Sequence, residues 1–74
     1  MNKFGEKLRA LRKKHNMTMK NLASALGMSA HSYISKLETG EKKPSVELAI
    51  KISYLFNVPL DSLLKDELDL EDGS

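Results

Sequence analysis

Between Gly27 and Gly40 the sequence reads "MSAHSYISKLET", with an imidazole at His31, hydroxyls at Ser29, Ser32, Ser35 and Thr39, and an ammonium at Lys36. Lys42 and Lys43 follow within a few residues. These side chains donate and accept hydrogen bonds and carry positive charge. Their spacing does not bring a nucleophile, a base and an orienting group together, so an enzyme is not expected. His15 and His31 stand apart and the chain has no cysteine, so no metal site is expected. A Gly-rich phosphate cradle is missing, and no cofactor is expected. The chemistry that remains is non-covalent: small polar groups and cations suited to a polyanion.

The charge distribution points the same way. The formal net charge of +2 hides an asymmetry: residues 1–43 carry ten Lys/Arg against three Glu, or +7, and residues 44–74 carry two Lys against seven acids, or −5. A basic half in so small a chain is the electrostatic footprint of a polyanion-binding surface. The length of 74 residues allows one modest core. Without disulfides or thiolate zinc sites, that core must come from packed elements. The N-terminal "MNKFGEKLRALRKK" is amphipathic and charged, unlike a secretory signal. No apolar run approaches a membrane span. "KDEL" at Lys65–Leu68 is internal, whereas that retention signal is read at a C-terminus. A cytoplasmic protein with no membrane partner is expected.

Apolar residues recur at spacings of three and four with no sustained alternation, which predicts an all-α domain. Phe4, Leu8 and Leu11 form the buried stripe of a first helix over about residues 2–14. Thr18 caps a second helix whose inward residues are Leu22, Ala23 and Leu26, and Gly27 suits the left-handed position after it. A third helix opens at Ser29 or Ala30 and ends at Gly40. Pro44 bars its continuation. Ser45 caps a fourth helix, with Glu47 favourable in its first turn, Phe56 at its end and Asn57 as a left-handed exit. Its inward side is read as Val46, Ala49, Ile52, Ser53 and Phe56. A short fifth helix covers about Asp61–Leu64, and residues 67–74 are expected to form an acidic, frayed tail.

Helices two and three, with the tight turn at Gly27, have the lengths of a helix-turn-helix. The second helix of that motif enters the major groove of DNA. On a wheel of about 100° per residue, Ala30, Ile34 and Leu37 point inward while Ser32, Ser35, Lys36 and Thr39 point outward. His31 and Tyr33 sit on the flanks near the helix start.

Residues 17–64 resemble the phage-repressor-like (Cro/CI, XRE-type) helix-turn-helix family. The resemblance is most specific at "LA" (Leu22–Ala23), "YISKLETG" (Tyr33–Gly40), "PS" (Pro44–Ser45) and "NVPLDSLL" (Asn57–Leu64). It implies a five-helix, lambda-repressor-like DNA-binding domain over residues 1–66. It further implies a sequence-specific, double-stranded DNA-binding transcriptional regulator, a repressor or operon controller, working as a homodimer on a two-fold operator. Carried over position by position, the recognition helix covers about residues 30–39, with base contacts from His31, Ser32, Tyr33, Ser35 and Lys36. Phosphate contacts fall on Thr18, Met19, Lys20, Asn21, Lys42 and Lys43, and Arg12 and Glu38 form a structural ion pair.

The sequence departs from the family pattern in places. His31 and Met19 stand where members often carry glutamine, and Pro59 replaces a usual serine cap. The segment from Gly27 to Glu38 is one residue longer than usual. Aligned from Tyr33–Ile34, His31 leads the reading face; aligned from Gly27, Ala30 does. Keeping Ile34 and Leu37 in the core favours His31.

Leu55 lies more than about 100° from the centre of that inward side of helix four, as does Leu48. Leu60, Leu64 and Leu68 continue an i, i+4 series. Leu55, Leu60, Leu64 and Leu68 are therefore the expected dimer contact. A competing expectation, from another functional class, is a protein-interaction module of the same fold, such as an antitoxin or the partner of a regulatory protein, with weak DNA affinity.

Overall fold

Thr18 starts a helix in the way its hydroxyl allows. In the computed structural model its Oγ1 accepts from the Asn21 N–H (2.9 Å), and Asn21 Oδ1 accepts from the Thr18 N–H (3.1 Å). Both halves of a capping box are thus present. The structure describes residues 3–65, so the tail expected over 67–74 lies outside the described residues. Within them the chain folds as α1 (Phe4–Lys14), α2 (Met19–Ala25), α3 (Ser32–Thr39), α4 (Val46–Phe56) and α5 (Leu60–Leu64), with no strand. The expected all-α, five-helix architecture is what forms.

Three of the connections use one device. Asn16, Gly27 and Asn57 take left-handed backbone with φ of 55°, 78° and 54°. At each, the next residue's N–H reaches back five residues: Met17 to Arg12 O (2.9 Å), Met28 to Ala23 O (2.8 Å) and Val58 to Ser53 O (3.0 Å). The left-handed residue's own N–H bonds three residues back, to Lys13, Ser24 and Tyr54. This paired pattern satisfies carbonyls that a helix end leaves open, and an apolar residue usually follows it inward. Met17 and Met28 pack against the core and Val58 is part of it. The turns therefore supply core side chains as well as reversing the chain.

The core is built from Phe4, Leu8 and Leu11 of α1, Leu22 and Ala23 of α2, Ile34 and Leu37 of α3, Leu48, Ile52 and Phe56 of α4, and Leu63 of α5. Two expectations for α4 are corrected. Val46, read as inward, is 74% exposed, and Leu48, read as off the inward side, is 8% exposed. The buried arc of α4 is rotated by about 30° from the expected one, which exchanges Val46 for Leu48. Ser53 stays inward, where its hydroxyl donates to Val58 O (2.6 Å) and braces the turn into α5. Beside that turn the His15 and Phe56 rings meet at 4.9 Å, tying the end of α1 to the end of α4.

Lys7 is an unexpected core neighbour. It lies on the inward stripe, one turn from Phe4 and Leu11, and is 8% exposed. Its Nζ donates to Ser62 O (2.5 Å) and Lys65 O (2.7 Å), carbonyls at the end of α5. α5 has one and a half turns and no side-chain N-cap bond at Pro59, so it is too short to be stable alone. Packing of Leu63 and this ammonium hold it. Replacing Lys7 by Met keeps the stem and removes charge-assisted bonds, and should lower stability by about 1.5–3 kcal/mol. Urea unfolding monitored by circular dichroism reads that loss.

Candidate nucleic-acid interface

α3 presents two unlike sides. Ile34 and Leu37 are 0% and 1% exposed, while His31, Ser32, Lys36 and Thr39 face solvent. Ser35 is half-buried, and the Thr39 hydroxyl donates to Lys36 O (3.2 Å), which satisfies it within the helix. Tyr33 is also half-buried and leans toward the core, along a groove shared with Leu26, Met28, Ser45 and Glu47.

The start of α3 differs from the expectation. Ala30, read as inward on a helix from about residue 30, is exposed and lies in the link before α3, which begins at Ser32. The physical reason is the turn at Gly27. Met28 is pinned back to Ala23 O, and the chain then needs Ser29 and Ala30 to reach the first turn of α3. His31 becomes the residue that opens the helix: its C=O accepts from the Ser35 N–H (3.2 Å), and its side chain makes no capping bond.

The cationic groups flank this helix. Gly40, with φ of 82°, ends α3, and the Lys42 N–H bonds back to Lys36 O (3.1 Å), which folds the Lys42–Lys43 segment against the last turn. Lys20, Lys36, Lys42 and Lys43 are all exposed. At the start of α2, Thr18 and Asn21 are exposed but share the capping box, so Thr18 Oγ1–H and Asn21 Nδ2 are the donors they have left to offer. Met19 is half-buried and packs on the core.

α3 is clamped at its C-terminal end by α1. Arg12 Nε donates to Glu38 Oε2 (2.7 Å) and Nη2 to Oε1 (3.2 Å), a two-pronged pair, while Nη1 donates to Met17 O (2.9 Å). The side chains are 11% and 4% exposed. The bond and charge of Glu38 raise the Arg12 pKa against the opposing effect of burial, so the guanidinium stays charged. About two turns back along α1, Gly5 is buried against the same end of α3. A Cβ there would stand 2.5 Å from Leu37 O and closer still to Glu38 O.

Sequence reasoning did not single out Gly5, Lys7 or Asn16. The signal for Asn16 was present: a polar residue that tolerates left-handed backbone, after a basic last turn, and an apolar Met next to it, as Met28 follows Gly27. The residues expected at a dimer contact divide. Leu60 and Leu64 are half-buried, Leu55 is 39% exposed, and Leu68 lies outside the described residues. No group of three His, Cys, Asp or Glu converges among the described residues, and no helix there is long and apolar enough to cross a membrane.

The helix-turn-helix family model matches residues 8–63. This chain belongs to the helix-turn-helix family. Its XRE-type members are DNA-binding transcriptional regulators. The HTH-type transcriptional activator BcrR of Enterococcus faecalis is 42% identical over 64 residues, covering 86% of this chain and 31% of that protein. The HTH-type transcriptional regulator YqaE of Bacillus subtilis is 38% identical over 64 residues, 86% of this chain and 54% of that one. MJ0272 of Methanocaldococcus jannaschii, another HTH-type regulator, is 38% identical over 63 residues, 85% of this chain and 94% of that one. The helix-turn-helix chain thus spans about half of YqaE and about a third of BcrR. Among solved structures, the N-terminal DNA-binding domain of SinR from Bacillus subtilis superposes with a TM-score of 0.80 at 26% identity, over 93% of this chain and all of that one. The restriction–modification controller protein C.AhdI of Aeromonas hydrophila gives 0.73 at 27% identity, over 84% and 92%.

In this helix-turn-helix domain the α1 clamp is testable. Arg12→Ala leaves the Glu38 carboxylate, 4% exposed, without its partner. Removing one member of such a pair costs about 3–5 kcal/mol. Thermal unfolding should show a large fall in midpoint, and Arg12→Lys should recover part of it.

Proposed function

We propose that this chain is the sequence-specific, double-stranded DNA-binding unit of a transcriptional regulator, a repressor or operon controller that works as a homodimer on a two-fold operator. The observation that carries the reading is the pairing of exposed His31, Ser32 and Lys36 with fully buried Ile34 and Leu37 on one helix. A helix so placed can enter the major groove while its other side stays in the core. His31 leads, offering a ring donor or acceptor; Ser32 and Lys36 follow at i+1 and i+5, on the side that meets base edges. Ser35 and Tyr33 contribute at the margin. Lys42 and Lys43, folded back on α3, neutralise phosphates on one side, and Lys20 with the free donors of Thr18 and Asn21 does so on the other. Met19 supplies apolar contact to a sugar or a thymine methyl. The basic half of the chain, at +7, favours the same polyanion.

A single eight-residue α3 reads only a few base pairs, so two copies are needed for a specific site. The dimer contact is assigned to Leu55, Leu60 and Leu64 with Leu68. Control of a restriction–modification system, the role named for the similar C.AhdI, is one operon-level use of such a dimer. A protein-interaction reading is favoured by a different observation: Val46, Ile50 and Tyr54 form an i, i+4, i+8 stripe on the outer side of α4, with Tyr54 80% exposed.

Selection from random duplexes decides between these. The regulator reading expects an enriched two-fold motif; no enrichment at low salt rejects it in favour of the interaction module. With the motif in hand, Lys36→Ala or Ser32→Ala should lose about 1–3 kcal/mol on the selected site and relax preference there, whereas Lys43→Ala should weaken all sequences and reduce the salt slope by about 1. Leu55→Glu should sediment as a monomer. An unchanged dimer mass rejects the assigned contact.

A further inference from the structure

We propose that Gly5 is a positioning residue for DNA reading: its missing side chain sets how closely α1 stands on the last turn of α3, and so fixes the pose of the reading face. The proposal rests on the DNA-binding function proposed above. Gly5 has no need of glycine for its backbone, since it lies within α1 and is not among the positions with positive φ. Glycine inside a helix costs stability relative to alanine, so its presence here calls for a packing reason. The reason is backbone against backbone. A Cβ at residue 5 would meet Leu37 O at 2.5 Å, with Glu38 O and Glu38 C (2.8 Å) beside it. Carbonyls of a helical turn are not flexible side-chain ends that can swing aside.

The geometry gives this contact leverage. Gly5 and Arg12 both engage the last turn of α3, at Leu37 and Glu38. The opposite end of α3 opens at His31 without a side-chain cap bond, so it is held by core packing and the link alone. Ser32 lies six residues from Glu38, about 9 Å along the axis. Restoring ordinary contact distance for a Cβ demands a displacement of about 1 Å, carried by α3 as a body because the interior is close-packed. Hydrogen bonds to base edges weaken steeply over such a shift. Lysine contacts to phosphate, on long flexible stems, adjust to it. The consequence is selective: sequence preference falls while general DNA affinity stays.

The test compares wild type, Gly5→Ala and Ala10→Gly, all as the full chain, on the selected duplex and on a scrambled duplex at several salt concentrations. Ala10 is exposed on α1, so Ala10→Gly weakens the helix without touching α3. Gly5→Ala is expected to lower the ratio of specific to non-specific affinity at least tenfold, with non-specific affinity and salt slope within twofold of wild type. Ala10→Gly should keep the ratio within twofold. A Gly5→Ala protein that is folded and retains the wild-type ratio overturns the proposal, as does an equal loss in Ala10→Gly. If Gly5→Ala is unfolded, the measurement is repeated in trimethylamine oxide, which favours the folded state; a chain still unfolded there overturns the proposal, because glycine then serves folding alone. Failure of the DNA-reading function appears earlier and in wild type, as a selection without a motif, and removes the proposal with it.

Discussion

The Arg12–Glu38 pair is the constraint around which the domain is arranged. One guanidinium holds both carboxylate oxygens of α3 and the Met17 carbonyl in the turn between α1 and α2. The end of α1, the turn that follows it and the distant α3 are thereby fixed to a single planar group. Ion pairs this sheltered are weak contributors to net stability, because desolvation offsets their attraction. Their value lies in geometry: a planar fork accepts few arrangements of a carboxylate. A hydrophobic contact at the same place would hold α3 with less angular definition.

Around that pair, the fold relies on satisfied helix ends as much as on apolar burial. Five helices of five to eleven residues expose many terminal N–H and C=O groups for their length. The Thr18 and Ser45 side chains answer at two N-termini, and the left-handed turns at Asn16, Gly27 and Asn57 answer at three C-termini. Lys7 does the same for α5 from across the molecule. Because Met17, Met28 and Val58 follow those turns into or against the core, capping and packing are performed by the same few residues. A small domain without disulfides gains most from such double use.

Local chemistry was the legible part of the sequence. Thr18, Ser45, Gly27, Gly40 and Asn57 each signal a helix boundary through their own side chain or lack of one, and the structure uses each as expected. Ser32, Lys36 and Thr39 were legible as the outer side of α3 too, because Ile34 and Leu37 fix its phase once a core exists, whereas Ser35, read as outward, is half-buried. What was not legible depends on partners. Apolar residues surround most of α4, so its own pattern leaves the buried arc ambiguous, and contacts with the rest of the core chose Leu48 over Val46. The link through Ser29 and Ala30 depends on where Met28 is pinned. Gly5 and Lys7 look like ordinary surface residues of an amphipathic helix until the facing carbonyls of α3 and α5 are in place. For the candidate site, residue types and the Arg12–Glu38 pair were readable, and the close approach of Gly5 to α3 was not.

The Lys7 bonds also impose an order in time. They join residues 55 and 58 positions apart, whereas Arg12 and Glu38 are 26 apart. On a ribosome adding roughly 5–20 residues per second, α1 is complete for several seconds before the α5 carbonyls exist. An isolated helix of eleven residues is marginal in water, so during that interval α1 depends on α2 and α3 for its persistence. In order of synthesis both partners of the Arg12–Glu38 pair exist before the α5 carbonyls that Lys7 holds, so the bonds of α3 to α1 can form before those of α5.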